Sequence, residues 1–349
     1  MHEFVQLLSA SVRDAAETGT ALCVTGGDTK RFYGGEPIGD VCAMDSYAGI
    51  ISYEPTELVI TAKAGTRLHD LEDALARSGQ MLPFEPPAFG ERATIGGTLA
   101  CGLSGPARPY RGAARDLVLG ISCVNGKGEI LKFGGQVMKN VAGYDVSRLM
   151  VGSMGTLGII TEVSLKVLPV AQCSVTRTFE LSARMALKKM TGLFTQALPV
   201  TASAWHDGVL RIRLSGVEAS VSAASRDLGG ENDSAGDQFW LDLKEHRLAF
   251  FDGPLPLWRL SVRPHIEPID LPGAFLIDWG GGSYWLKSDA SVETLDSMAR
   301  SVDGYVMRFR GGDRSVRCGG LDGVAMRLNR QLKDAFDPKH VLNPGRLPL

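Results

Sequence analysis

The residues best placed to do chemistry are glycines and small hydroxyl-bearing residues. A short apolar run, Ala21 to Val24, leads into Thr25-Gly26-Gly27-Asp28-Thr29-Lys30. A strand that ends in two glycines and small polar residues can turn several N–H groups toward one point, a nest suited to a pyrophosphate. A tight turn without a ligand would use the same residues. A second run is Ala93-Thr94-Ile95-Gly96-Gly97-Thr98-Leu99-Ala100-Cys101-Gly102-Leu103-Ser104-Gly105. A third, Gly152-Ser153-Met154-Gly155-Thr156-Leu157-Gly158-Ile159-Ile160-Thr161, leads into another apolar stretch. Turns alone explain three such runs poorly, whereas a long, flat, charged ligand that the backbone approaches closely explains them all. There is no G-x-x-x-x-G-K-[ST], and no G-x-G-x-x-G at a strand–helix turn, which disfavours a P-loop and a dinucleotide site of the Rossmann type.

Periodicity outlines the elements that must position these runs. Phe4, Leu7, Leu8, Val12 and Ala15 predict a first helix that Gly19 stops. Strands are expected at Ala21–Val24, Val41–Met44, Ile50–Tyr53 and Leu58–Ala62, and a helix from Thr66 with Leu68, Leu71 and Leu75 on one face, closed by Gly79. Asn125-Gly126 between two apolar runs signals a hairpin. A further strand fits Gly158–Val167, after which the glycine density drops. The stretch 217–237, rich in Ser, Ala, Gly and Asp, predicts a helix and then a mobile loop. Strands return at Leu257–Val262 and Ala274–Trp279, and a last helix at Val324–Phe336.

A chain of 349 residues with 44% hydrophobic and 22% charged residues suits a globular protein of two domains. A net charge of −2 gives no basic field for nucleic acid. The six cysteines form no C-x-x-C pair, so neither a zinc nor an iron–sulfur site is expected within the chain. No apolar run of 18 residues is present and no signal peptide is apparent. The expected location is the cytoplasm, or the inner face of a membrane through partners only.

The order of these segments resembles the FAD-binding domain of flavoproteins of the p-cresol methylhydroxylase/vanillyl-alcohol oxidase type. Thr25 to Lys30 resembles that family's pyrophosphate loop, and Pro83 to Gly105, around Ala93-Thr94-Ile95-Gly96-Gly97, its second cofactor segment. Lys139-Asn140-Val141-Ala142-Gly143-Tyr144-Asp145 and Gly152 to Thr161 resemble the third. Phe336-Asp337-Pro338-Lys339-His340-Val341-Leu342-Asn343-Pro344-Gly345-Arg346 resembles the tail of FAD-linked oxidases, which folds back toward the flavin. The resemblance implies an α+β protein with an FAD-binding domain over residues 1–170, in subdomains of about 1–80 and 81–170. A smaller α+β domain over 171–325 covers the flavin, and a tail over 326–349 returns to the first domain. It implies that the pyrophosphate rests on N–H groups of the first two runs and that the adenine end packs near Gly155 to Ile160. The cofactor residues it indicates are Thr25, Gly26, Gly27, Asp28, Thr29 and Lys30; Thr94, Ile95, Gly96, Gly97, Gly102, Leu103, Ser104 and Gly105; Gly152, Ser153, Gly155, Thr156, Gly158, Ile159 and Ile160; and Asn343. Covalent members carry a histidine where Asp28 stands, so non-covalent FAD is implied.

Within that family the chain is similar to the FAD-binding subunits of glycolate oxidases, on Pro256-Leu257-Trp258-Arg259-Leu260-Ser261 and Ile277-Asp278-Trp279-Gly280-Gly281. The resemblance implies partners: a larger second FAD subunit and an iron–sulfur subunit, which pass electrons from a small 2-hydroxy acid toward quinones. Oxidising such an acid needs a cation for the carboxylate, a base, and a flavin to take the hydride. Arg259 and Arg263 share one apparent strand and could face the same side, as could Arg308 and Arg310. Solvated strands or a subunit interface account for such arginines equally. His265, after Pro264, is the histidine best placed to approach a flavin. The His-rich metal segment of self-sufficient 2-hydroxy acid dehydrogenases is missing, which favours a partner subunit. A self-sufficient D-2-hydroxy acid dehydrogenase and an NADPH-dependent flavin reductase stay open as alternatives.

Overall fold

A computed structural model describes residues 3–135, 145–264, 267–315, 318–319 and 322–347. The chain divides into two compact units. Met1–Leu103, Ala113–Pro169 and Leu321–Leu349 form the first; Ser104–Gly112 and Val170–Gly320 form the second. The stretch Ser104–Gly112, expected in the FAD-binding domain, thus belongs to the second unit. Two contacts hold it there: Trp279 Nε1 donates to the Gly105 carbonyl (3.0 Å), and Tyr110 stacks on Phe194 with ring centroids 5.4 Å apart.

In the first unit, helix Glu3–Thr18 buries Val5, Leu8, Val12 and Ala15, a stripe of helical period. Leu7, expected on that stripe, is exposed; one residue ahead of Leu8, it is turned about 100° off the face. Strand Leu22–Thr25 pairs in parallel with Asp40–Ala43. The tail joins its other side: Leu22 N donates to the Val341 carbonyl (2.7 Å) and Asn343 N to the Leu22 carbonyl (2.9 Å). The larger sheet is antiparallel, in the order Ile50–Glu54, Val59–Lys63, Ile159–Lys166, Val118–Val124, Ile130–Gly134. Strands from both sides of residue 80 share this sheet, so a division at 80 does not follow the strand pairing. Val59–Lys63 is buried at its first four positions, and such a strand needs neighbours on both edges and cover on both faces. Helix Leu68–Ala76 supplies part of that cover through Leu68, Leu71 and Leu75.

The second unit is built on an antiparallel sheet that runs Glu231–Asn232, Cys173–Glu180, Val209–Gly216, Val200–His206, Ala274–Asp278, Ser283–Lys287, Leu257–Ser261, Tyr305–Arg310. Helices Ala183–Leu193, Glu218–Leu228 and Val292–Arg300 pack Leu187, Met190, Val221 and Leu295 into its core. The loop expected after residue 228 is instead a short edge strand and helix Gly236–Lys244. Its anchor is Trp240, buried with its indole donating to Thr176 Oγ1 (2.9 Å).

An aromatic box in this unit encloses His246. Its ring stacks on Phe251 at 4.0 Å and meets Trp285 at 4.5 Å. Burial, with the Arg310 and Arg259 charges, holds the imidazole well below its ordinary value, so it is neutral in the fold. Below about pH 6.5 the unfolded chain takes up a proton that the fold refuses, so stability is full above that pH and falls as pH drops below it. The expected fall is at most about 1.4 kcal/mol per pH unit. Thermal melts between pH 7 and 5 should show it, and His246→Phe should remove most of it; an equal fall in that variant would refute the assignment.

Candidate functional site

The first two glycine runs clasp each other. A Cβ at Gly26 would overlap the Thr94 hydroxyl, and one at Gly27 would overlap the Arg92 carbonyl. Neither residue has a positive φ; that falls to Asp28, at 60°. The two glycines are therefore required by loop-on-loop packing rather than by room for a ligand. The second pair is likewise engaged. Gly96 N donates to the Ala64 carbonyl (2.8 Å), and Gly97 N donates to Thr94 Oγ1 (3.3 Å), where Thr94 caps the short helix Ile95–Cys101. With those amides occupied, the first run is left as the amide-bearing side of the site.

A cleft enclosing about 860 Å³, partly open to solvent, lies among these runs. It is lined by Thr25 through Lys30, by Thr94, Gly96 and Gly97, by Gly155, Gly158 and Ile160, and by Asn343. The other expected cofactor residues lie off its walls for identifiable reasons. Ile95 and Ile159 point into hydrophobic cores, and Leu103 is buried. Ser153 Oγ donates to the Met150 carbonyl (2.8 Å) and Thr156 Oγ1 to the Ser153 carbonyl (2.7 Å), so both fold the third run. Gly102 and Gly152 pack backbone to backbone. Ser104 and Gly105 belong to the second unit. Lys139 to Tyr144 lie outside the described residues. Asp145 braces the next helix, accepting from Ser147 Oγ (2.7 Å) and pairing with Arg148 (2.7 Å).

Cations and the tail complete the cleft. Lys30 is 6% exposed, with Nζ donating to the Ala88 carbonyl (3.1 Å). Arg346, which sequence reasoning did not single out, also lines the cleft; its Nη1 donates to the carbonyls of Gly35 (2.5 Å) and Arg31 (3.2 Å). Burial pushes the Cys101 thiol up, while Lys30 and Arg346 pull against that shift, so both cations bear on the same wall. Asn343 acts as a clip: Oδ1 accepts from Val24 N (2.7 Å) and Nδ2 donates to the Met154 carbonyl (2.6 Å). Val24, Met44, Ala64 and Met154 add apolar wall. An amide-bearing loop, two buried cations and apolar walls fit a long anionic cofactor with a flat ring system, as FAD is.

The second unit separates the arginine candidates. Arg259 lies within strand Leu257–Ser261 and is 9% exposed. Arg263 lies beyond that strand, with a side chain 83% exposed and 3.8 Å from Asp303. The strand ends before it, so the two do not share a strand face. His265 lies outside the described residues. Arg308 stacks over Trp258 (4.5 Å) and Arg310 donates to the Phe251 carbonyl (3.1 Å), which makes both structural. Arg259 meets residues the sequence did not connect with it. Its guanidinium is 5.8 Å from the Trp279 ring centre, and that of Arg108 is 4.4 Å from the same ring. Trp279 has φ 56°, an outlier for so bulky a residue, and is pinned by its N–H donating to Asp278 Oδ1 (2.7 Å). Tyr305 stands opposite Ser261 in the sheet. Burial raises its phenol, but the Arg259 charge, a hydrogen bond with Ser261, the Arg108 charge and a hydrogen bond with Arg259 outweigh this, and it sits below the ordinary tyrosine value.

Comparison with known proteins agrees with this architecture. Residues 5–134 match a family described as FAD binding domain. Over the whole chain, the solved structure of an alkyldihydroxyacetonephosphate synthase shares the fold, with a TM-score of 0.67 at 18% identity, over 98% of this chain and 74% of that one. The D-lactate dehydrogenase of Anaerostipes hadrus is 40% identical over 34% of this chain and 25% of its own length, and the glycolate oxidase subunit GlcD of Bacillus subtilis 37% over the same shares. The glycolate oxidase subunit GlcE of Escherichia coli (strain K12) is 46% identical over 345 residues, 99% of this chain and 97% of its own. Identity of that order from end to end, on an FAD-binding α+β fold, means that the chain belongs to the family of the glycolate oxidase subunit GlcE.

Proposed function

We propose that the chain is the FAD-binding subunit of a glycolate oxidase complex. It supports oxidation of glycolate, and of D-lactate as a second substrate, to the 2-oxo acid, with electrons leaving to an iron–sulfur subunit and quinones. The observation that carries this reading is the end-to-end identity with GlcE. The catalytic-type relatives support a partner role, since D-lactate dehydrogenase matches only a third of this chain. A larger flavin subunit, of which GlcD is the kind, completes the assembly. Among the described residues no helix is long and apolar enough to cross a membrane and no cluster of metal-ligating side chains occurs, so attachment to a membrane and the iron–sulfur centre both fall to partners.

FAD, when bound, supplies the hydride acceptor for oxidation of a CH–OH group. The chain's own residues hold it. N–H groups of the first run, with Lys30 and Arg346, meet the diphosphate, and Val24, Met44 and Ile160 keep water from the flat parts. The attachment is non-covalent: Asp28, where covalent relatives carry a histidine, presents a carboxylate paired with Arg31 at 3.2 Å, which forms no bond to the flavin.

One preparation tests this reading. Flavin-loaded chain precipitated with trichloroacetic acid should leave its flavin in the supernatant; a yellow pellet would overturn non-covalent attachment. Anaerobic glycolate should leave the flavin of the isolated chain oxidised and bleach it once the partner subunits are added. Bleaching of the isolated chain would replace the subunit reading with a self-sufficient dehydrogenase. A colourless chain that cannot be reconstituted with FAD would overturn the flavoprotein itself.

A further inference from the structure

Two guanidiniums from distant stretches of chain converge on one indole in the second unit. Arg108 comes from the short helix Arg108–Arg111 and Arg259 from strand Leu257–Ser261. Like charges gathered on one ring repel, and together with the carboxylate of Asp278 they still leave the cluster net positive. Tyr305, half exposed, lies close enough to feel both arginine charges and opens the cluster to solvent. The indole that backs it is fixed: the Trp279 side chain donates to the Gly105 carbonyl (3.0 Å), and its backbone is held at φ 56° by Asp278. Strained backbone of this kind persists where surroundings over-determine it, as they do at ligand sites.

We propose that the second unit carries a binding site for a small carboxylate of the 2-hydroxy or 2-oxo acid class, formed by Arg108, Arg259 and Tyr305 against the ring of Trp279. The guanidinium fork matches a planar carboxylate bidentately. The indole face offers a flat apolar wall to the rest of a two- or three-carbon acid, and the Tyr305 hydroxyl a further polar contact. The choice of acid rests on the glycolate oxidase reading; the site itself does not.

The test is calorimetric titration of the flavin-loaded full chain with sodium oxalate, a planar mimic that needs no turnover. Saturable binding is expected, weakened at least about ten-fold by Arg108→Gln and by Arg259→Gln, as loss of a charge-assisted hydrogen bond implies. Arg108 is half-buried, so Arg108→Gln decides the matter if the variant at the more buried Arg259 does not fold. Absence of saturable oxalate binding, or unchanged affinity in Arg108→Gln, would overturn the proposal. Tighter binding of inorganic phosphate than of oxalate would overturn the carboxylate assignment. Because no flavin reduction is read, failure of the glycolate experiment and failure of this one are separately visible.

Discussion

Asp337→Ala is expected to destabilise the first unit by about 3–5 kcal/mol, the cost of breaking a buried ion pair by removing one partner. Asp337 is fully buried, and its Oδ2 lies 2.6 Å from Nζ of Lys333, whose side chain is 3% exposed. Burial pulls the lysine below its ordinary value, and the Asp337 hydrogen bond and charge pull it back. The same carboxylate accepts from Val341 N (3.2 Å) and Leu342 N (2.8 Å), so alanine would strand two backbone donors as well as an ammonium. Lys333 also donates to the carbonyls of Thr156 (2.7 Å) and Leu342 (3.0 Å). The pair therefore ties helix Gly323–Phe336 to the third glycine run and to the tail, next to the Asn343 clip. Loss of FAD retention should accompany loss of stability. Replacing both partners together, Lys333→Met with Asp337→Leu, should recover part of the stability, since a packed apolar pair often matches a buried ion pair. Chemical denaturation measures each variant; an Asp337→Ala protein within about 1 kcal/mol of the parent would refute the network, being what a surface ion pair gives.

The contrast between loops and tail shows what a sequence can carry. Gly26, Gly27, Gly96 and Gly97 were legible as cleft residues because glycine is kept where backbones come close. What they come close to was not legible. Gly27 faces the Arg92 carbonyl, a contact that only the clasp of two loops creates. Asn343 was legible in its tail segment, but its two side-chain bonds reach strand Leu22–Thr25 and the third run. The cationic residue Arg346 gained its role by the same return of the tail, which has no local signature. Arg108 was hidden for a further reason. It follows the second glycine run directly, so it reads as part of the cofactor segment, whereas Ser104–Gly112 packs with the second unit. Helix Gly236–Lys244 was masked by polar composition and rests largely on Trp240 and Leu243. Long, strongly periodic elements, such as Glu3–Thr18 and Leu68–Ala76, declare themselves; sites assembled from single residues of several segments do not.

Lys30→Met and Arg346→Met are each expected to weaken FAD binding by a factor of about ten or more. A charge-assisted hydrogen bond contributes about 1.5–3 kcal/mol, and 1.4 kcal/mol is ten-fold in affinity. The two cations come from opposite ends of the chain, yet both bear on Cys101 in the cleft wall. Each is also a donor to backbone carbonyls, Lys30 to Ala88 and Arg346 to Gly35 and Arg31, so a merely structural role has to be separated from a cofactor role. Riboflavin, which lacks the diphosphate, makes the separation. If the cations meet the diphosphate, both variants should lose affinity for FAD while retaining the parent's affinity for riboflavin. If they only brace the loops, both flavins should weaken together. Quenching of flavin fluorescence on titration of the apoprotein reads either outcome. Arg346→Lys adds a graded case: it keeps the charge but loses the fork that spans Gly35 and Arg31, so its FAD affinity should fall between the parent and Arg346→Met. Parent-like FAD binding in Lys30→Met would leave the N–H groups of the first run as the diphosphate's support and remove the cations from the cofactor site.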